Sequence, residues 1–163
     1  MDEQTAQLHG VLSYQRHHVT SILDGLSDEQ LRQPVLPSGW SCLGMLQHLS
    51  LADEHYWFSA IMGGASLDFF PQGENADWQV ATDRTAEDVL GQYREEIARS
   101  DAVIASSTLS TPPQQPDPMW EEWGMSFPDL RTILLHVITE TACHAGHLDA
   151  VRELLDGRQW IVL

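Results

Sequence analysis

RTILLHVITETACHAGHLDAVRELLDG, residues 131–157, decides the fold. Within it Ile133, Val137, Glu140, His144, Leu148, Val151 and Leu155 recur at steps of four, three, four, four, three and four. That spacing traces one continuous face of an α-helix, the face that looks into a core. Ser126, Asp129 and an early Pro128 mark the start of the helix, and Gly157 stops it after about Asp156. Two members of the stripe are not apolar. Glu140 and His144 stand one turn, roughly 6 Å, apart, so their tips can converge on one ion or on each other. A carboxylate on a core-facing stripe is costly unless it is paired or bound to a metal.

Three further segments carry helical periodicity. Over about residues 4–25, Leu8, Leu12, Gln15, Val19, Ile22 and Leu26 repeat at three or four. GLSDEQL and the Pro/Gly-rich PVLPSGW then read as a connection. Ser41 caps a second helix over about 42–62, on which Met45, Leu46, His48, Leu49, Ala52 and Tyr56 line a broad face before the glycines at 63 and 64. Thr85 with Asp88 opens a third over about 86–106, burying Val89, Tyr93, Ile97 and Ile104. No stretch alternates with period two and no repeat is present. The expectation is an all-α chain, one domain over residues 1–163, folded as a four-helix bundle with long connections between helices two and three and three and four. The Pro-rich 107–125 connection, with Trp120 and Trp123, is expected to form a mobile lid or rim outside the core.

Composition narrows the chemistry. The formal charge is −16, from 24 acids against 8 bases, and such a surface repels phosphate backbones and anionic lipid. No apolar run is long enough to cross a bilayer. All the bases are arginine; the absence of lysine excludes Schiff-base and P-loop chemistry. Cys42 and Cys143 form no CxxC pattern, and the acidic start MDEQTAQLHG carries no leader-like apolar stretch, so a cytoplasmic protein is expected. Any chemistry then falls to His, carboxylates, hydroxyls, thiols or a bound metal.

Each candidate has a plainer reading. Glu140 and His144 also fit a solvated or salt-bridged pair. His48, among Met45, Leu49 and Ala52, is a candidate third ligand from another helix, or a hydrogen-bonded core histidine. His147 lies near Glu140 around the helix and makes His144/His147 a rival pair, though nearly two turns along. His17, His18 and His55 are read as solvated, and His136 as a partly exposed neighbour of the stripe. Cys143 points about 100° from His144 and is read as a packing residue.

GLSDEQLRQPVLPSGWSCLGMLQHLSLADEHYWF (25–58), together with residues 131–157, resembles the DinB superfamily of metal-binding four-helix bundles over nearly the whole chain. The motifs are a His after a Gly-Trp-Ser approach in the second helix and a ligand-xxx-His pair before a small residue and Gly in the last. His48 and His144 match them. A Glu at 140, where many members have His, is similar to the branch of mycothiol-dependent maleylpyruvate isomerase and the bacterial thiol S-transferases. That resemblance implies a divalent metal, zinc by preference, held by His48, Glu140 and His144. The isomerase has a further C-terminal domain that this chain, ending at Leu163, does not show, so isomerase activity is not expected.

The expected function is therefore transfer of a mycothiol- or bacillithiol-like thiol to a small electrophile, with the metal activating the thiol. The alternatives are a metal-dependent hydrolase of a small molecule and a non-catalytic metal- or ligand-binding bundle. The partner is a small molecule, with no nucleic acid and no membrane, and a homodimer is left open. At physiological salt no DNA or RNA should be retained at submicromolar protein in a mobility-shift assay. A salt-sensitive shift would contradict this.

Overall fold

Side-chain caps set where the helices begin in the computed structural model, which describes residues 1–160. Asp2 accepts from the Thr5 N–H and opens α1, Glu3–Ile22. Ser27 and Gln30 form a capping box that starts the short α2, Asp28–Arg32. Ser41 accepts from the Gly44 N–H at the head of α3, Cys42–His48, which runs without a break into a π-helical segment, Leu49–Met62. A 3-10 turn, Ala76–Trp78, lies in the next connection. Thr85 and Asp88 box the start of α4, Ala86–Ser106, and α5, Met119–Glu122, is one turn. Asp129 and Thr132 box the start of α6, Leu130–Asp156, which Gly157 closes at φ 79°, in the left-handed region that favours glycine.

The fold is all-α, but it is not the four-helix bundle expected from periodicity: six α-helices are present among the described residues. Two of them, α2 and α5, are too short to show an apolar period and lie in stretches read as connections. The segment read as one helix over 42–62 is α-helical only to His48. Beyond it the i→i+5 geometry persists to the end, where Gly63 N–H donates to the Phe58 carbonyl at 2.9 Å.

α1 packs against α6, α4 against the π segment, α6 against the π segment and α3 against α4. Their apolar faces make two clusters rather than one. Val19, Leu49, Tyr93 and Ala145 belong to the first; Leu12, Trp57, Ile104 and Val137 belong to the second. On each long element the residues between these positions are polar and buried: Arg16, Asp53 and Glu54, Glu96 and Ser100, and Thr141. A polar layer thus divides the core at mid-height.

The layer is held by an ion pair. Arg16 Nε and Nη2 donate to the two Glu54 carboxylate oxygens at 2.7 and 2.6 Å, and Nη1 donates to Asp101 at 2.8 Å. Burial opposes the guanidinium charge, but Glu54 and Asp101 outweigh it and raise its pKa. His18, read as solvated, is buried as well, 2.9 Å from Asp149 and stacked on Trp160. The 107–125 connection departs from the expected lid, because Leu109 and Trp120 pack into the second cluster. Among the described residues no helix is long and apolar enough to cross a membrane.

Removing one partner of a buried pair strands the other's charge in the core. Arg16→Ala should lose about 3–5 kcal/mol in urea unfolding, whereas the double variant Arg16→Met/Glu54→Leu should recover most of that loss.

Candidate functional site

His48 occupies the junction where α3 becomes π-helical. Its Nδ1 donates to Asp77 Oδ2 at 2.6 Å, and its ring stacks on Trp78 with centroids 3.9 Å apart. Both partners come from the 3-10 turn. With Nδ1 engaged by a carboxylate, the proton is fixed there and Nε2 carries the free lone pair. The turn is tied down from below. Gln47 Nε2 donates to the carbonyls of Asp77 at 2.9 Å and Gln79 at 3.2 Å, and Arg84 donates to Gln47 Oε1 at 3.0 Å. Gly44 permits the approach: a Cβ there would come closer than 3.0 Å to the Trp78 carbonyl oxygen.

From α6 comes His144, perpendicular to His48 with centroids 5.2 Å apart. Burial, together with the neighbouring His48 and His147, pulls its pKa down to about 4, so the ring is neutral at pH 7. Its Nδ1 is buried without a hydrogen-bond partner among the described residues. Glu140 Oε2 stands 4.0 Å from His144 Nε2. The structure therefore sets both His48 and Glu140 beside His144, and the exposed His147 stands beside His144 as well, with ring centroids 5.7 Å apart.

Two expectations need correcting. The buried stripe of α6 runs through Ile133, Val137, Thr141, Ala145, Leu148 and Val151, so Glu140 and His144 lie on its edge. The Glu140 side chain is 43% exposed, so burial does not oblige it to find an ion. A ready-made zinc site is also not borne out: among the described residues no group of three or more His, Cys, Asp or Glu is placed to hold a metal ion. The donors have suitable chemistry, two imidazoles and a carboxylate. Their spacing as folded does not close on one point.

The buried carboxylate belongs instead to Asp53, 4% exposed on the π segment. Burial, with the negative charges of Glu54 and Glu140, raises its pKa well above the usual carboxylate range. Thr141 Oγ1 lies 3.3 Å from Asp53 Oδ2. Neither cysteine competes for a role. Cys42 is buried, its thiol pushed up to about 11 by burial, and exposed Cys143 does not line the cleft.

His48, Asp53 and Glu140 form one wall of a cleft of about 450 Å³. The facing wall is aromatic. Trp57 and Trp120 stack with centroids 5.6 Å apart, Trp120 Nε1 donates to the Tyr56 hydroxyl at 3.0 Å, and that hydroxyl donates to Asp117 at 2.8 Å. Trp123, 57% exposed, stands at the rim. Asp77, Trp78 and Asp53 were not legible as site residues. The first two sit in an aperiodic connection, and Asp53 belongs to no motif or spacing that sets it apart from the other acids of the chain.

A helical stack in which a histidine from the second long helical run meets a Glu–His pair from the last is that of a DinB-like protein. The mycothiol-S-transferase family model matches residues 7–157, and the chain belongs to that family. No curated protein and no solved structure matches it.

The 2.6 Å His48–Asp77 bond should give a low-field imidazole N–H proton resonance. Asp77→Ala should abolish the signal directly, and Gly44→Ala should abolish it by displacing the Ala76–Trp78 turn. A signal unchanged in both variants would show that the turn does not orient His48.

Proposed function

We propose that the protein transfers a small-molecule thiol of the mycothiol or bacillithiol kind to a small electrophile in the cleft between His48 and the Trp57/Trp120 wall. One observation carries this reading: a histidine oriented by a carboxylate stands at the wall of an apolar, aromatic cleft large enough for a small molecule. Family membership supports the reaction type.

The steps follow from the residues. His48 Nε2 takes the thiol proton, and Asp77 holds the ring and offsets the imidazolium charge that results. The sulfur forms a C–S bond to the electrophilic carbon, and the leaving group departs with the electron pair of the bond that breaks. Where the electrophile is an unsaturated carbonyl, the proton returns from His48 to the adduct instead. Asp53, whose protonated form burial favours, is placed to offer a hydrogen bond to an acceptor atom of the electrophile. The aromatic wall binds its apolar part and excludes water.

The orphaned Nδ1 and low basicity of His144 support a second reading, in which a divalent cation takes part. His48, Glu140 and His144 would have to rotate toward one another to hold it, and it would acidify the thiol directly. Metal content of protein purified without a nickel column, and turnover before and after chelation, separate the two readings.

In a turnover assay with mycothiol or bacillithiol and a small aryl or alkyl halide, His48→Ala should lower kcat/KM by roughly 10²–10⁴-fold. His147→Ala should stay near the parent. Absence of any C–S product with either thiol, with or without added divalent metal, would refute the proposal.

A further inference from the structure

The cleft that holds His48 is one-sided in charge. Asp53, Asp117 and Glu140 line it, and among the described residues no arginine does. Asp117 accepts from the Tyr56 hydroxyl at 2.8 Å and from the Met119 N–H at 2.9 Å, both neutral donors. Among the described residues the basic group beside Glu140 is His144, at 4.0 Å, and that ring is neutral at pH 7. Asp53, 4% exposed, meets Thr141 through Oδ2, and its Oδ1 makes no hydrogen bond among the described residues. Arg16, the guanidinium whose charge reaches Asp53, is committed to Glu54 and Asp101. His136, which also lines the cleft, is made less basic by burial. The carboxylates of the cleft thus stand without a counter-cation.

The rings complete the pattern. Tyr56 and Phe70 stand with centroids 6.3 Å apart and planes at 47°, a corner beside the Asp117 carboxylate that the Tyr56 hydroxyl holds. Trp120 Nε1 donates to that same hydroxyl at 3.0 Å and so fixes the Tyr56 ring. Phe70, Trp123 and Met125 are 36%, 57% and 37% exposed while lining the cleft. Large apolar side chains grouped at a mouth in this way mark a binding surface. The face of an aromatic ring is negative and attracts a cation. A neutral ligand would leave the carboxylates uncompensated, and they would repel an anion. A hydrated divalent ion would gain from the carboxylates and nothing from the rings. An organic ammonium uses both, with its alkyl groups on the rings and its charge beside Asp117. The formal charge of −16 draws such a molecule in from solution.

We propose that the cleft binds an organic cation, a quaternary or protonated tertiary amine seated at the Tyr56/Phe70 corner against Asp117, with Glu140 adding to the field. The proposal rests on the transferase reading above in one respect, that this ligand is the electrophile. Its charged nitrogen is then a handle and not the leaving group. Sulfur bonds to a carbon elsewhere in the molecule, and the ammonium stays in the product unchanged.

Binding read without turnover separates this proposal from that reading. The full chain is titrated calorimetrically with EDTA present, so that no metal ion competes. The probes are benzyldimethyl(2-hydroxyethyl)ammonium and its uncharged carbon isostere, 3,3-dimethyl-4-phenylbutan-1-ol. The cation should bind about tenfold more tightly than the isostere. Phe70→Leu, which keeps an apolar side chain but removes the ring, should weaken the cation about threefold more than the isostere. Asp117→Asn should weaken the cation by about fivefold and spare the isostere. If Asp117→Asn fails to fold, Glu140→Gln, at a position 43% exposed, carries the charge test with a smaller loss expected. Tyr14→Ala, on the exposed face of α1, should change neither affinity. Equal affinity for the two probes would overturn the proposal. So would a preference for the cation that is indifferent to Phe70→Leu and to both carboxylate variants. A preference that responds to them, with no C–S product from any thiol and a halide bearing a trimethylammonium group, would leave the cation site standing and remove the transferase reading. C–S product formed with the same kcat/KM from charged and uncharged halides would do the reverse.

Discussion

The bidentate ion pair between Arg16 and Glu54 is the constraint on which the rest of the structure depends. An apolar core tolerates sliding of one helix along another, because one leucine contact resembles the next. A buried guanidinium does not. It must meet two carboxylate oxygens in a fixed plane, or it leaves two charges unpaired in a dry interior. By joining α1 to the π segment, and to Asp101 of α4, it sets the relative heights of three elements at once. The same pair accounts for Asp53. Arg16 pairs with Glu54, so burial and the adjacent carboxylate dominate at Asp53 and raise its pKa despite the nearby guanidinium.

Asp53 and Glu54 both lie on the π segment, and adjacent side chains there diverge enough for Asp53 to meet Thr141 of α6 while Glu54 meets Arg16 of α1. The cost of the π geometry is poorer hydrogen bonding, and such segments concentrate where function needs them. His48 stands at the point of transition, with its ring released from the α3 face toward the Asp77–Trp78 turn. The polar layer and the candidate site thus adjoin on one continuous helical run, His48 at its junction and Asp53 and Glu54 just beyond.

What was legible in the chain follows from what each signal measures. Caps are local, so the Thr85–Asp88 box and the Gly157 stop could be read directly and agree with the structure. Apolar period reports long helices only, and α2 and α5 passed as connections. It also cannot rank one polar residue against the next, so the expected stripe of α1 passes through Gln15 whereas the buried residue is Arg16, whose partner lies 38 positions away. The meeting of His48 with Glu140 and His144 was legible from spacing and resemblance together. The depth of Glu140 was not: the expected and the buried stripe share Ile133, Val137, Leu148 and Val151, but at the two middle positions the buried residues are Thr141 and Ala145. Asp77 and Trp78 carry no periodic signal at all. Only the tight fit of Trp78 over Gly44 and the Gln47 tethers place them, and those are tertiary facts.

In the proposed transfer a thiolate is the reactive form of the cosubstrate, yet a chain of formal charge −16 disfavours the approach of anions from solution. The surface therefore favours a thiol that arrives neutral and protonated, and the anion has to be made where it will be used. That requires a base inside the cleft with its proton bookkeeping already arranged. His48 meets the requirement through Asp77, while His144, held neutral by burial, adds no positive charge that would discourage proton uptake by the neighbouring ring.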